Sequence, residues 1–159
     1  GQRVLDYGTG SGVLAMTAIT FGALHVLGVD IDDEALDAAW ENLQANGMGS
    51  RVPSKPSPQP GVDLVHTREV VQDMSGIMLR DDARMQTLQF DVVVANILIG
   101  PLMKLAPVLA MSVKEDTGVL CLCGLREENI KDLEEAYKKF GVEFVSVKTL
   151  EHKKWREGA

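Results

Sequence analysis

The first candidate for a ligand site lies near the start of the chain, in Val4–Gly12, which reads V-L-D-Y-G-T-G-S-G. A short apolar run, Arg3–Tyr7, suits a buried strand, and Val13–Phe21 after the glycines suits a helix. This arrangement brings bare backbone N–H groups and a helix N-terminus up to a ligand. Glycine is needed there because a Cβ blocks positive φ and close backbone approach. A tight structural turn explains a lone glycine loop equally well, so other residues are needed to distinguish a ligand site from a structural turn.

The second candidate is a carboxylate. Asp30 closes the apolar run His25–Val29 and lies 22 residues beyond Gly8, where nucleotide-binding α/β domains place an acid on ribose hydroxyls. A dinucleotide fingerprint would have its third Gly or Ala at the position of Val13. The spacing D-x-G-x-G-x-G, which starts at Asp6, instead resembles motif I of the class I S-adenosylmethionine-dependent methyltransferases.

The third candidate is Asn96, which follows the apolar run Phe90–Ala95. Ligands of open α/β sheets bind outside the carboxyl ends of the strands, so Gly8–Gly12, Asp30 and Asn96 are predicted to converge on one rim. Methyl transfer from a sulfonium is an in-line displacement, in which the enzyme mainly positions the nucleophile. The carbonyl groups of Asn96 could hold an amine and aim its lone pair. The alternative is that Asn96 caps the next helix.

Strands and helices alternate along the chain and predict an α/β fold with a doubly wound, mostly parallel sheet and helices on both faces. Strands are predicted at Arg3–Tyr7, His25–Val29, Val62–Thr67, Phe90–Ala95, within Gly118–Gly124 and at Val142–Val147. Helices are predicted at Val13–Phe21, from an Asp32 N-cap to Asn46, from Leu98 with a kink or division at Pro107, and before Gly141.

Some side chains are expected in the core. Leu36, Trp40 and Leu43 follow one another at helical spacing and predict a buried stripe, which makes Trp40 a core residue in preference to a platform for adenine. Cys121 and Cys123 lie two apart in an apolar run and are interpreted as buried, reduced thiols on one face of a strand. No histidine cluster accompanies them, so the sequence predicts no metal site.

Composition narrows the class of protein. The chain has 159 residues, 45% hydrophobic and 25% charged, which suits one globular domain with a real core. A net charge of −7 argues against a protein that tracks nucleic-acid phosphates and is compatible with a basic protein substrate. There is neither a membrane-length apolar run nor a signal peptide. Reduced cysteines favour the cytoplasm, and an organelle stays open because the N-terminus is missing.

Two segments depart from a compact pattern. Residues 49–61 (GSRVPSKPSPQPG) hold four prolines and three serines and are interpreted as a flexible insertion. Residues 68–89 lack clear periodicity and are interpreted as a partly helical cover. The chain begins abruptly at Gly1 and shows no structural stop at its end. Residues 1–159 are therefore expected to be one catalytic domain cut from a longer protein.

Five segments, in order, resemble the ribosomal protein L11 methyltransferase family. They are D-Y-G-T-G-S-G-V-L-A, G-V-D-I-D-D-E-A, E-N-L-Q-A-N-G, F-D-V-V-V-A-N-I-L-I-G-P-L and L-A-P. The resemblance implies an enzyme that uses S-adenosylmethionine to methylate lysine side chains and the N-terminal amine of a ribosomal protein. It implies cofactor contacts at Gly8, Asp30 and Asn96, with Asn96 also facing the amine as the catalytic residue. The candidate cofactor site further includes Asp6, Thr9, Gly10, Gly12 and Ile31.

The chain also departs from that family. Thr9 stands where the family often has cysteine, and Asp33 replaces the usual proline after D-I-D. The small N-terminal substrate-recognition domain, a cofactor loop before the first strand and a complete final antiparallel strand are missing. These departures bear chiefly on the identity of the protein substrate.

Rival functions remain open. A methyltransferase for a nucleic-acid base commonly has Pro-Pro and an aromatic residue after the Asn, which Ile97-Leu98-Ile99 does not offer; a small-molecule amine is a further possible substrate. A nicotinamide-dependent oxidoreductase would explain the glycine loop and Asp30. However, Val13 stands where its fingerprint requires Gly or Ala, and Asn96 would have no role. A non-catalytic binding module could keep the fold.

Overall fold

The computed structural model describes residues 1–48, 61–66 and 89–149. The predicted insertion at 49–61 and cover at 68–89 lie outside these residues except at their last positions. Five described strands form one sheet: β1 Arg3–Tyr7, β2 His25–Asp30, β3 Gly61–His66, β4 Val92–Asn96 and β5 Val119–Cys123. Their order is β3-β2-β1-β4-β5, and all neighbours pair in parallel. The chain therefore changes its direction of winding between β1 and β4.

The helices follow the predicted pattern closely. They are α1 Val13–Thr20, α2 Asp33–Ala45, α3 Ile99–Lys104, α4 Ala106–Ser112 and α5 Ile130–Lys138, with a 3₁₀ turn at Glu127–Asn129 before α5. The side chain of Asp32 accepts the N–H of Glu34 at 3.0 Å, which confirms the predicted N-cap of α2. Pro107 lies in the first turn of α4, where its missing N–H has no helical partner to lose. The predicted division of this helix is confirmed.

Successive β1 residues point to opposite faces of the sheet and belong to two separate cores. Val4 packs with Ala15 of α1 and Leu43 of α2. Leu5 instead packs with the side chains that cover the other face, which include Leu102 and Leu109 of α3 and α4, and Leu133 and Tyr137 of α5. Helices therefore cover both faces, and the predicted doubly wound fold is confirmed.

Three predictions are wrong: the strand at Val142–Val147, the burial of the two cysteines, and the fully buried stripe of α2. Residues 142–149 form no strand, because they pair with none of the described strands, and Val145 is 92% exposed. β5 pairs only with β4 in the described sheet, so Cys121 is half-buried and Cys123 is exposed; both are free thiols. In the predicted stripe of α2, only Leu43 is fully buried, whereas Leu36 and Trp40 are half-buried.

No helix in the described part of the chain is long and apolar enough to span a membrane.

Tyr137 joins α5 to α3 and gives a test of this packing. Its hydroxyl donates to the carbonyl oxygen of Leu102 at 3.0 Å, and both residues are fully buried. We expect Tyr137→Phe to lower the free energy of unfolding by about 0.5–1.5 kcal/mol, since one buried hydrogen bond is lost. Leu133→Ala, which opens a cavity in the same core, should cost roughly 2–5 kcal/mol. Urea denaturation measures both, and a Tyr137→Phe variant as stable as wild type would contradict the account.

Candidate functional site

The carboxyl ends of β1, β2 and β4 bring the predicted polar groups together on one rim. The N–H of Gly10 donates to Asp30 Oδ2 at 2.8 Å, which joins the glycine turn to the end of β2. A Cβ added at Gly8 would lie 3.9 Å from the carbonyl oxygen of Asn96, which joins the same turn to the end of β4. The rim lies at the switch point of the sheet, where open α/β folds bind their ligands.

The glycine turn depends on three left-handed backbone conformations. Gly8, Gly10 and Gly12 have φ values of +79°, +53° and +79°, which side chains rarely permit. The N–H groups of Gly8 and Thr9 both donate to the carbonyl oxygen of Val29, at 2.7 and 3.0 Å, so the turn is attached to β2. A Cβ at Gly8 would lie 2.2 Å from Cγ2 of Ile97. Glycine is therefore required there by both conformation and space.

Asp30 has a structural role that its sequence position did not suggest. Its Oδ2 accepts the N–H of Gly10, and its Oδ1 accepts the N–H groups of Ile31 at 2.7 Å and Asp32 at 3.2 Å. An ionised carboxylate has about four acceptor positions. Three of them fix the turns after β1 and β2, and the remainder can accept a ligand hydroxyl. The proximity of the two turns across parallel strands, not the spacing along the chain, reveals this role.

Asp6 is the most buried charged group of the site. It is 1% exposed, and Thr9, itself 4% exposed, donates its hydroxyl to Asp6 Oδ2 at 2.8 Å. Asp6 Oδ1 is buried and has no hydrogen bond of good geometry among the described residues. Burial raises the pKa of Asp6, an effect that the hydrogen bond from Thr9 and the nearby backbone N–H of Ala15 in α1 partly offset. The side chain of Thr9 thus supports Asp6, and only its backbone borders the rim.

Asn96 ends β4 with an exposed side chain. α3 begins after Leu98 at its N-cap position and has no side-chain cap bond, so Asn96 does not cap this helix. Beside it, Leu98 is 79% exposed, and Ile31, at the end of β2, is 75% exposed. Sequence reasoning included Ile31 but missed Leu98, although its place directly after N-I in V-A-N-I-L was a usable signal. The rim therefore combines acceptor oxygens with exposed apolar side chains.

A glycine turn after β1, an acid at the end of β2 and a switch point between β1 and β4 are typical of nucleotide-type ligand sites in the Rossmann-like class. The sequence profile of the ribosomal protein L11 methyltransferase (PrmA) family matches residues 1–157. The chain belongs to this family.

Individual relatives support the match. The ribosomal protein L11 methyltransferase of Shewanella sediminis is 37% identical over 87% of this chain and 39% of its own length. That of Actinobacillus succinogenes is 36% identical over 93% of this chain and 42% of its own length. The crystal structure of ribosomal protein L11 methylase from Lactobacillus delbrueckii subsp. bulgaricus is 31% identical, with a TM-score of 0.63 over 87% of this chain and 59% of that one. The chain spans about two fifths of these curated relatives.

The raised pKa of Asp6 predicts how the free energy of unfolding changes with pH. A carboxyl that folding makes harder to ionise keeps its proton longer in the folded state, so the free energy of unfolding falls as pH rises above the ordinary aspartate value of about 3.9. Relative to Asp6→Asn, the wild type should therefore lose stability as the pH rises above about 4. Thermal melting across pH measures this difference. Asp37→Asn, at an exposed position of α2, controls for the lost charge; parallel curves for wild type and Asp6→Asn would refute the prediction.

Proposed function

We propose that this chain is the catalytic domain of an S-adenosylmethionine-dependent protein methyltransferase that acts on an amine, either a lysine side chain or an N-terminal amine, of a ribosomal protein. The observation that carries the proposal is the convergence of the glycine turn, Asp30 and Asn96 on one rim, with Asp6 buried behind the turn, in a chain of this family. The division 1–159 as one such domain of a longer protein is part of the same proposal.

The residues of the rim fit this cofactor. S-adenosylmethionine has a cationic amino group, two ribose hydroxyls and an apolar adenine ring. Asp6 places a buried carboxyl group directly behind the glycine turn, to which Thr9 joins it, and a cation bound at that turn would favour its ionised form. Asp30 retains acceptor capacity for ribose. The exposed side chain of Ile31, next to Asp30, suits the adenine ring.

The glycine turn would bind by its backbone. Gly8, Gly10 and Gly12 lack a Cβ, so a ligand can approach their main chain closely. Hydrogen bonds to the carbonyl oxygen of Val29 and to Asp30 hold the turn in place before any ligand arrives. A preorganised turn reduces the entropy lost on binding.

Asn96 would act on the nucleophile. When bound, the cofactor supplies an electrophilic methyl group on a sulfonium. The side-chain and backbone carbonyl oxygens of Asn96 accept N–H groups of the amine and direct its lone pair, which is a contribution of orientation. The backbone oxygen lies beside Gly8, so the amine is held next to the cofactor turn.

Deprotonation of the amine precedes its capture in this scheme. Lysine is mostly protonated at neutral pH. Cys123 pairs with Asn96 across β4 and β5. Although the residue as a whole is exposed, partial desolvation raises the pKa of its thiol, which favours the protonated form over the thiolate that a base would require. We therefore expect the rate to rise toward alkaline pH.

The protein partner is proposed at the level of a basic ribosomal protein. The net charge of −7 is compatible with such a substrate, and both relatives described above are ribosomal protein L11 methyltransferases. That the chain does not bind nucleic acid directly, and that it acts in the cytoplasm, remain predictions from the sequence.

Cofactor choice is the first test. Isothermal titration should give binding of S-adenosylhomocysteine and none of NAD, because Val13 replaces the third residue of the dinucleotide fingerprint. Asp30→Ala should weaken S-adenosylhomocysteine binding by roughly 10- to 100-fold, as expected for hydrogen bonds to a charged group. Asp32→Ala, which removes the neighbouring N-cap carboxylate, is the matched control and should bind nearly as wild type. Binding of NAD alone would point to an oxidoreductase.

The role of Asn96 is tested by single-turnover methyl transfer in the full-length protein. Asn96→Ala should lower the rate by about 10²–10³ at saturating cofactor, on the scale of one lost transition-state contact, with little change in cofactor affinity. Some activity should survive because the backbone carbonyl remains. Rates measured from neutral to alkaline pH should rise for both proteins. Equal rates for wild type and variant would remove Asn96 from the mechanism.

A further inference from the structure

Two glycines enclose the dipeptide Asn96-Ile97 at the end of β4. On one side, a Cβ at Gly8 would lie 2.2 Å from Cγ2 of Ile97 and 3.9 Å from the carbonyl oxygen of Asn96. On the other side, a Cβ at Gly124 would lie 2.9 Å from Oδ1 of Asn96 and 3.9 Å from the carbonyl oxygen of Ile97. Gly8 belongs to the predicted cofactor turn, whereas sequence analysis gave Gly124 no role beyond ending a strand.

The position of Gly124 follows from strand register. Asn96 is paired with Cys123, the last residue of β5, so the next residue of the chain meets the Asn96 side chain. Gly124 has a φ of +75°. A separation of 2.9 Å is shorter than the ~3.3–3.6 Å of even close C–H···O contacts. A methyl group at residue 124 would therefore displace the Asn96 carboxamide oxygen.

We propose that Gly124 is a positioning residue for the amine. Because residue 124 has no side chain, the Asn96 carboxamide can occupy the orientation that receives the nucleophile. This role rests on the function proposed for Asn96. The atom in the way is the end of an exposed side chain, which can turn aside without disturbing the core. A side chain at residue 124 thus affects orientation at the site more than it affects the fold.

A purely conformational reason for this glycine makes a different prediction. Alanine is destabilised at any position with positive φ, whatever lies around it. Gly141 has a φ of +79°, close to that of Gly124, but nothing lies within 4 Å of its added Cβ. Gly141→Ala therefore reproduces the backbone strain of Gly124→Ala without the contact to Asn96.

The experiment compares these two variants in the full-length protein. Both should lower the melting temperature by similar amounts. Only Gly124→Ala should reduce single-turnover methyl transfer, by about 10- to 100-fold, the scale for a misplacement of about 1 Å, with S-adenosylhomocysteine affinity unchanged within about twofold. Only Gly124→Ala should shift the side-chain NH₂ signals of Asn96 in a ¹H–¹⁵N spectrum. Equal turnover in the two variants, or unmoved Asn96 signals, would overturn the proposal.

A double-mutant cycle isolates the contact. Asn96→Ala removes the oxygen that a methyl group at residue 124 would displace, so Gly124→Ala should change the remaining rate by less than about twofold in that background. An equal loss in both backgrounds would mean that residue 124 acts by another route. Because the Asn96 side chain can turn aside, Gly124→Ala should fold as well as Gly141→Ala; a Gly124→Ala protein that does not fold while Gly141→Ala does would reduce Gly124 to a backbone requirement and contradict its role.

The same measurements distinguish failure of the proposed function from failure of the role proposed for Gly124. An inactive wild-type enzyme with a ribosomal-protein amine counts against the proposed function, whatever the glycine variants do. An active wild type, a slow Asn96→Ala variant and a fully active Gly124→Ala variant would leave the function standing and reject the role of Gly124.

Discussion

Two backbone turns approach each other closely across the switch point, and this approach determines the geometry of the rim. β1 and β4 are adjacent parallel strands, so the turns that leave them must pass each other at the same edge of the sheet. Gly8 allows this only because it has no side chain where Ile97 packs. The contact places the main chain of Asn96 beside the glycine turn. Under the proposed function, the topology of the sheet would thus bring together a ligand in the turn and a nucleophile at Asn96.

The two carboxyl groups of the site differ in burial and in the number of hydrogen bonds that they accept. Asp30 receives three backbone N–H groups at the surface of the rim, and it acts as a brace for the turns after β1 and β2. Asp6 lies in the interior, where burial raises its pKa and one oxygen has no hydrogen bond of good geometry among the described residues. A buried carboxylate of this kind disfavours folding at neutral pH. Under the proposed function, a cation bound at the glycine turn would offset part of this cost, because Thr9 of that turn is hydrogen-bonded to Asp6.

The fold could be predicted from the sequence because apolar runs separated by helical stripes leave few alternatives. The positions of Gly8, Asp30 and Asn96 on one rim followed from the rule that ligands bind at the carboxyl ends of parallel strands. What could not be predicted depends on contacts between distant segments. The exposure of Cys123 depends on what covers an edge strand, and the three hydrogen bonds of Asp30 depend on the turn of another strand. The contact between Gly124 and Asn96 depends on strand register, which no local pattern encodes.

Catalysis and substrate recognition are separable in this architecture. The groups on the described rim are acceptor oxygens, backbone N–H groups and exposed aliphatic side chains such as Ile31 and Leu98. Acceptor oxygens recognise an N–H group whatever chain it belongs to, so under the proposed function Asn96 would select an amine without distinguishing one lysine from another. The chain corresponds to about two fifths of its curated relatives. Under the same proposal, the choice of target protein would depend on surfaces outside the rim, and a change in target need not alter the glycine turn, Asp30 or Asn96.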